Sequence, residues 1–191
     1  MVCTGNICRS PIAEQVLRAR LKAFGVSAEV HSAGSRAVIG HGMTPEAEFV
    51  ARRYCGLATI HEARQLTQRL VASADLVLTA TREHRSTVVG LHPRAARYCY
   101  TLNQFSRLLG PFLESESQRA SGLGDDVANL RDLVAEVAAT RGFLPPPVDL
   151  ADDDIEDPYR QAEAVYDRVG VAVDVAVTAV AVAFARATGR R

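Results

Sequence analysis

The sequence predicts an α/β fold: a three-layer α/β/α domain around a four-stranded parallel sheet, with its first strand truncated. Three observations lead there. Strand-like and helix-like segments alternate through the first hundred residues, the pattern of βα units. The clearest strand run, Asp75 to Ala80 (DLVLTA), is apolar nearly throughout, as in a parallel strand covered on both faces. The composition, 48% hydrophobic with 22 basic against 22 acidic residues, suits a chain that buries a core rather than one that stays disordered.

In order, Met1-Val2 is the stub of a strand. Pro11 to Phe24 follows as a helix, with proline in its first turn and Ile12, Val16, Leu17 and Leu21 on the face that packs on a sheet. Gly25 ends it. Val26 to Ser32 reads as the second strand. Pro45 to Tyr54 reads as a helix capped by Thr44 and closed by Gly56. Glu62 to Ala72 looks helical, Asp75 to Ala80 is the third strand, Arg82 to Gly90 a helix and Ala96 to Tyr100 the fourth strand. Residues 103–156 show no further strand. Asn103 to Leu109 and Asp126 to Arg141 read as helices, among loop signals at Gly110-Pro111, Ser115 to Gly124, Pro145-Pro146-Pro147 and Asp152-Asp153-Asp154. This stretch is expected to be a helical and loop insertion, too short to own a core, within a single domain spanning residues 1–191. A long helix starts after Pro158.

Charge and composition exclude several function classes. A net charge of zero gives no whole-chain attraction to nucleic acid or anionic lipid, so any anion must be met by a local arrangement. Four cysteines without a C-x-x-C do not make a disulfide scaffold or a zinc site, and no metal is expected. The opening residues have neither a basic nor an apolar leader, so a cytoplasmic location is expected. Val169 to Ala185 is apolar except for Asp174 and Thr178. At 17 residues with a central aspartate it is expected to be a buried helix rather than a membrane span, since crossing takes about 20 residues.

The chemistry concentrates in Cys3-Thr4-Gly5-Asn6-Ile7-Cys8-Arg9-Ser10-Pro11, between the first strand and the first helix. A loop there can aim several backbone N–H groups at one point, and the helix start adds about half a positive charge. Gly5 is expected to supply the backbone freedom, and Arg9 a bidentate guanidinium for phosphate oxygens. The same donors would favour the thiolate of Cys3 beneath a bound phosphate. Covalent phosphoryl transfer through a cysteinyl phosphate, with no cofactor, is the chemistry this permits. A bare C-x5-R would arise by chance about four times in ten in a chain with four cysteines and 21 arginines, so the spacing alone decides nothing.

The full nonamer CTGNICRSP resembles the signature of the low-molecular-weight protein tyrosine phosphatases, and the likeness covers residues 1 to about 102 and 155 to 188. It implies that Thr4, Gly5, Asn6, Ile7, Cys8, Arg9 and Ser10 form the phosphate-binding loop, and that Asn6, Ser10, Ser32 and His61 form a supporting polar network. Such a network can hold an asparagine in a left-handed conformation. The resemblance makes Asp157 of Asp157-Pro158-Tyr159 the general acid and base, with Cys3 and Arg9 as its catalytic companions. Tyr159 becomes one wall of the substrate slot. The other wall departs from the family, with Val38 and Ile39 where many members carry an aromatic. Thr79-Ala80-Thr81 departs too, and puts the placement of the acid in question. His31, His41, His84 and His92 receive no role. Asp152, Asp153, Asp154 and Glu156 are expected to form a solvated acidic face.

The resemblance further implies a phosphotyrosine protein as substrate, a bacterial tyrosine kinase among the candidates, and a monomer or weak dimer. Relatives acting on phosphoarginine tend to have threonine where Ile7 stands, which favours phosphotyrosine. Cys8 is a candidate for a reversible disulfide with Cys3. The competing readings are a thiol-dependent arsenate reductase, a protein arginine phosphatase, and a non-catalytic phosphate-binding module. The module reading is motivated by the two residues before Cys3, where relatives carry several apolar ones.

Overall fold

In the computed structural model, which describes residues 1–57, 59–114 and 130–189, four short parallel strands form one sheet of order β2-β1-β3-β4. They are β1 (Val2–Cys3), β2 (Ala33–Gly34), β3 (Val77–Thr79) and β4 (Cys99–Thr101). The helices are α1 (Arg9–Ala23), α2 (Pro45–Cys55), α3 (Gln68–Ala72), α4 (Arg82–Leu91), α5 (Leu102–Leu108), α6 (Gly110–Glu114), α7 (Leu130–Thr140) and α8 (Glu163–Ala187), with 3-10 turns at Pro93–Arg97 and Leu150–Asp153. β1 lies in the centre, paired with β2 through Val2 and Ala33 and with β3 through Val2 and Thr79.

The alternation of side chains along the strands separates two cores, one per face. Leu78 and Tyr100 point to the larger one, built by α1, α2, α5, α7 and α8. Val77 and Cys99 point to the smaller one, with Val71 of α3 and Val88 of α4. This is the three-layer arrangement that the alternating pattern predicted. The apolar Val169 to Ala185 stretch lies within α8, the one described helix long and apolar enough to cross a membrane; 56% of its apolar window is buried inside the protein. Its aspartate is explained by a partner: Arg20 of α1 reaches Asp174 at 2.6 Å.

Several boundaries differ from expectation. Helix α1 begins at Arg9, two residues before Pro11, so Arg9 and Ser10 are helical. The second strand is not Val26 to Ser32 but Ala33–Gly34, because its ladder reaches only as far as β1 does: the Ala33 N–H donates to the Met1 carbonyl at 2.9 Å. Of the Glu62 to Ala72 stretch only Gln68–Ala72 is helical. Thr67 caps it, while Arg64 to Leu66 runs extended beside Gly34 and bridges it at Gln65. Pro93 starts a 3-10 turn that takes up Ala96 and Arg97, which delays β4 to Cys99.

The described parts of the 103–156 region pack into the core. Phe105, Leu109, Phe112, Leu133, Val137 and Ile155 are all buried in the larger core. The one apolar face that the sequence shows there, with Leu130, Val134 and Val137 on the expected Asp126 to Arg141 helix, gives no destination by itself. Residues 126–129 of the expected Asp126 to Arg141 helix and the Ser115 to Gly124 loop lie outside the described residues.

Candidate active site

The residues from Cys3 to Arg9 leave the carboxyl end of the central strand and wrap into the start of α1. What shapes this loop is where its carbonyls go. Those of Cys3, Thr4, Gly5 and Ile7 accept from the N–H groups of Ser35, Arg36, Val38 and Thr44, at 2.9, 3.0, 2.9 and 3.0 Å. The Asn6 carbonyl accepts from His61 Nε2 at 2.7 Å. A trans peptide points its C=O and N–H in opposite directions, so outward carbonyls turn the N–H groups of Thr4 through Cys8 to the concave side. The start of α1 adds its own dipole to that concavity.

Asn6 is the residue with the left-handed backbone, at φ 57°; Gly5 has no positive φ. Glycine at position 5 therefore serves a different purpose from the one expected. A Cβ there would lie 3.3 Å from Ile7 Cγ1 and 3.5 Å from Val38 Cγ2. Gly34 is under a harder constraint, since a Cβ would come within 2.5 Å of the Thr4 carbonyl oxygen.

The side chain of Asn6 is wholly buried and directs a polar chain with fixed donors. Its Oδ1 accepts from the Arg64 N–H at 3.0 Å, which assigns the amide orientation. Its Nδ2 donates to Ser10 Oγ at 2.9 Å and to Ser32 Oγ at 2.8 Å. Ser32 in turn donates to Glu14 Oε2, and Glu14 is paired with Arg18 at 2.6 Å. With its oxygen accepting from Asn6, the Ser10 hydroxyl has its proton for Cys3 Sγ, 2.9 Å away. Asn6, Ser10, Ser32 and His61 thus stand together. Glu14, Arg18 and Arg64 join them unforeseen; the helical spacing of Ser10, Glu14 and Arg18 on a packed helix was the available signal.

Arg9 is buried at 5% exposure, and its guanidinium is spread over several partners. Nη1 donates to the Ile155 carbonyl at 3.2 Å and Nη2 to Asp157 Oδ2 at 2.6 Å. Its Nε has no hydrogen-bond partner among the described residues. Asp157 comes from 148 residues away and keeps its carboxyl half-exposed above the loop. Backbone bonds place it: the Ile155 N–H donates to the Ala80 carbonyl at 2.8 Å, at the carboxyl end of β3. The anchor within Thr79-Ala80-Thr81 is thus a backbone carbonyl, which any residue supplies.

The acidic run before Asp157 is a solvated face only in part: Asp152 and Glu156 are exposed, whereas Asp153 is buried and Asp154 half-buried. Asp153 is buried and accepts from Arg107 at 3.2 Å. Asp154 accepts from the Arg82 N–H at 2.8 Å at the start of α4, and its Oδ2 from Arg82 Nη2 at 3.1 Å. Glu156 pairs with Arg168 at 3.0 Å. Each of these ties the Asp157 segment to a helix, an outcome that depends on partners distant in sequence.

Around the mouth, Val38 sits against the loop by its bond to Gly5, and Tyr159 donates its N–H to Asp157 Oδ1 at 3.3 Å. Both side chains are exposed, Val38 at 39% and Tyr159 at 43%. Cys8 is buried. Burial pushes its thiol up to about 11, against weaker lowering by the hydroxyls of Thr44 and Tyr166 at 3.7 and 3.9 Å. His84, given no role from the sequence, borders the loop through Thr4 Oγ1 at 2.8 Å. Its place just after β3, at the carboxyl end of the sheet where α/β sites gather, was the signal for it. No group of metal-ligating side chains occurs among the described residues.

The family model for low molecular weight phosphotyrosine protein phosphatase matches residues 1–110. Low molecular weight protein-tyrosine-phosphatase Wzb of Salmonella typhi is 40% identical over 93 residues, which are 49% of this chain and 60% of the relative, so the chain spans less than two thirds of that relative's length. The protein-arginine-phosphatase of Bacillus subtilis is 35% identical over 105 residues, 54% of this chain and 69% of that one. Among solved structures, the low molecular weight protein tyrosine phosphatase from T. tengcongensis superposes with a TM-score of 0.66 at 27% identity, covering 94% of this chain and 93% of its own. Matched over more than half its length by the family model, and over nearly all of it by a member's fold, the chain belongs to the low molecular weight phosphotyrosine protein phosphatase family.

Proposed function

We propose that this protein hydrolyses phosphotyrosine on proteins through a cysteinyl-phosphate intermediate, with Cys3 as nucleophile and Asp157 as general acid and then base. The observation that carries the reading is the loop in which every carbonyl from Cys3 to Ile7 is bonded outward, which turns the N–H groups of Thr4 through Cys8 to its concave side as a ring. Such a ring, with the unpartnered Arg9 Nε, suits a phosphate dianion and the charge spread over its equatorial oxygens in the transition state.

In the first step the Cys3 thiolate attacks phosphorus and the bond from phosphorus to the phenolic oxygen breaks. Asp157, protonated, gives its proton to that oxygen. In the second step Asp157, now a carboxylate, takes a proton from water as the water oxygen attacks phosphorus. The sulfur–phosphorus bond breaks, phosphate leaves, and the returning thiolate is met by the Ser10 hydroxyl. An incoming phosphoryl group competes with Asp157 for Arg9 Nη2, so substrate binding frees the acid for its proton transfer.

Ile7 and Val38, which crowd Gly5 from two sides, support a narrow apolar slot suited to a flat ring. A phosphoarginine substrate is the second reading, favoured by the likeness to the arginine phosphatase of Bacillus subtilis. An arsenate reductase is disfavoured because Cys99 is fully buried within β4, where it cannot take part in an exposed thiol relay. The absence of a cysteine pair and the free thiols suit a reducing compartment such as the cytoplasm.

The test is turnover of p-nitrophenyl phosphate and of matched phosphotyrosine and phosphoarginine peptides. Cys3→Ser is expected to abolish turnover. Asp157→Ala is expected to slow esters of poor leaving groups far more than those of good ones. Normal turnover by Cys3→Ser overturns the mechanism, and preference for phosphoarginine overturns the substrate.

A further inference from the structure

Thr4 follows the nucleophile, and its hydroxyl is held from two sides. His84 Nε2 lies 2.8 Å from Thr4 Oγ1, and Arg9 Nη2 donates to the same oxygen at 3.5 Å. On its other side the imidazole meets Thr81, whose Oγ1 lies 2.7 Å from His84 Nδ1. Thr81 is the N-cap of α4, and its Oγ1 already accepts the His84 backbone N–H at 3.3 Å. Three side chains from two separate strand ends therefore form a line that finishes one residue from Cys3.

The direction of that line follows from counting donors and acceptors. The charged and titratable groups around His84 are Arg9 from α1, Glu83 on its own helix, and Asp154 and Asp157 from the acid segment. Burial and then the Arg9 guanidinium lower its affinity for a proton, more than the carboxylates raise it, so the ring is neutral at neutral pH. A neutral imidazole donates from one nitrogen and accepts at the other. The Thr81 oxygen accepts the backbone N–H with one lone pair, and its own proton is free to go to Nδ1. In that tautomer His84 carries its proton on Nε2 and donates it to Thr4. With His84 and Arg9 as donors, both lone pairs of the Thr4 hydroxyl are filled, and its own proton is left to give.

Resting on the phosphatase reading above, we propose that His84, oriented by Thr81, is a positioning residue that fixes the Thr4 hydroxyl as a hydrogen-bond donor to the phosphoryl group in the loop. The hydroxyl thereby adds one side-chain donor to the ring of backbone N–H groups. A threonine free to rotate would spend much of its time donating elsewhere.

The test is a cycle of Thr4 and His84 variants on the full chain, read as kcat/KM for p-nitrophenyl phosphate and as affinity for inorganic phosphate by calorimetry, with melting temperatures as the check on folding. Thr4→Val is expected to lose about 10- to 100-fold in kcat/KM, the worth of one hydrogen bond to a charged group. Thr4→Ser, which keeps the hydroxyl, stays within about threefold of wild type. His84→Ala loses about tenfold, His84→Gln recovers most of it by placing an amide donor near Nε2, and the Thr4→Val/His84→Ala pair loses no more than Thr4→Val alone. Wild-type rates in Thr4→Val, or losses that multiply in the double variant, overturn the proposal. If the wild-type protein binds phosphate but turns over no ester, the phosphatase reading fails by itself. The Thr4 inference then stands or falls on whether Thr4→Val weakens phosphate binding at least fivefold and Thr4→Ser does not.

Discussion

Replacing Asn6 by alanine should be the most damaging single change to the loop that leaves Cys3 intact. The buried amide makes three hydrogen bonds, to the Arg64 N–H, Ser10 and Ser32. At about 1 kcal/mol net for each, their loss costs about 3 kcal/mol, and the stranded Arg64 N–H tends to raise that figure. Asparagine also tolerates the φ of 57° better than alanine, for which the left-handed region costs about 1 kcal/mol more. The sum is about 4 kcal/mol, or a melting temperature lower by about 8 to 16 °C for a domain of this size. Thermal and urea melts followed by circular dichroism measure it, and kcat/KM should fall by about 100-fold as the N–H ring loses its geometry. Because Asn6 and Ser32 share a bond, Ser32→Ala in the Asn6→Ala background should cost less than in wild type, with a coupling of about 1 kcal/mol. A loss under about 1 kcal/mol for Asn6→Ala, or strict additivity with Ser32→Ala, would show that the amide does not hold the loop.

Two further changes probe other parts of the same construction. Gly34→Ala puts a methyl group 2.5 Å from the Thr4 carbonyl and 2.9 Å from Ala37 Cα, both backbone atoms. It should therefore destabilise by about 1 to 3 kcal/mol and impair turnover even though it touches no substrate; an unchanged melting temperature and rate would count against so rigid a floor. Cys8, with its thiol pushed up to about 11 from an ordinary 9.0, should stay unmodified by iodoacetamide at neutral pH in the native protein while Cys55 reacts, as peptide mass mapping would show. Its linkage has a definite sign. The folded state holds the proton more tightly than the unfolded one, so stability falls as pH rises from about 9 to about 11, and Cys8→Ala should flatten that part of the curve.

The sequence by itself determined the class of the fold and marked the loop that carries Cys3. These are local: Cys3 to Pro11 is one contiguous turn from strand to helix whose residue types point to a nest of N–H groups, although the bonds that turn its carbonyls outward come from Ser35, Arg36, Val38, Thr44 and His61. The fold class was legible for a similar reason, since alternation of β and α character needs no knowledge of partners. Tertiary structure decided what is non-local. Whether Val26 to Ser32 pairs depends on how far the neighbouring strand runs, and whether Asp153 and Asp154 are solvated depends on Arg107 and Arg82, 46 and 72 residues away. The destination of the 103–156 helices depends on an apolar face of α8 that the chain reaches only later. His84 shows the limit most clearly. Only its place just after a predicted strand marks it, and it meets Thr4, 80 residues earlier, because parallel strands bring their carboxyl ends to one edge of the sheet, where the loops of β1 and β3 stand side by side.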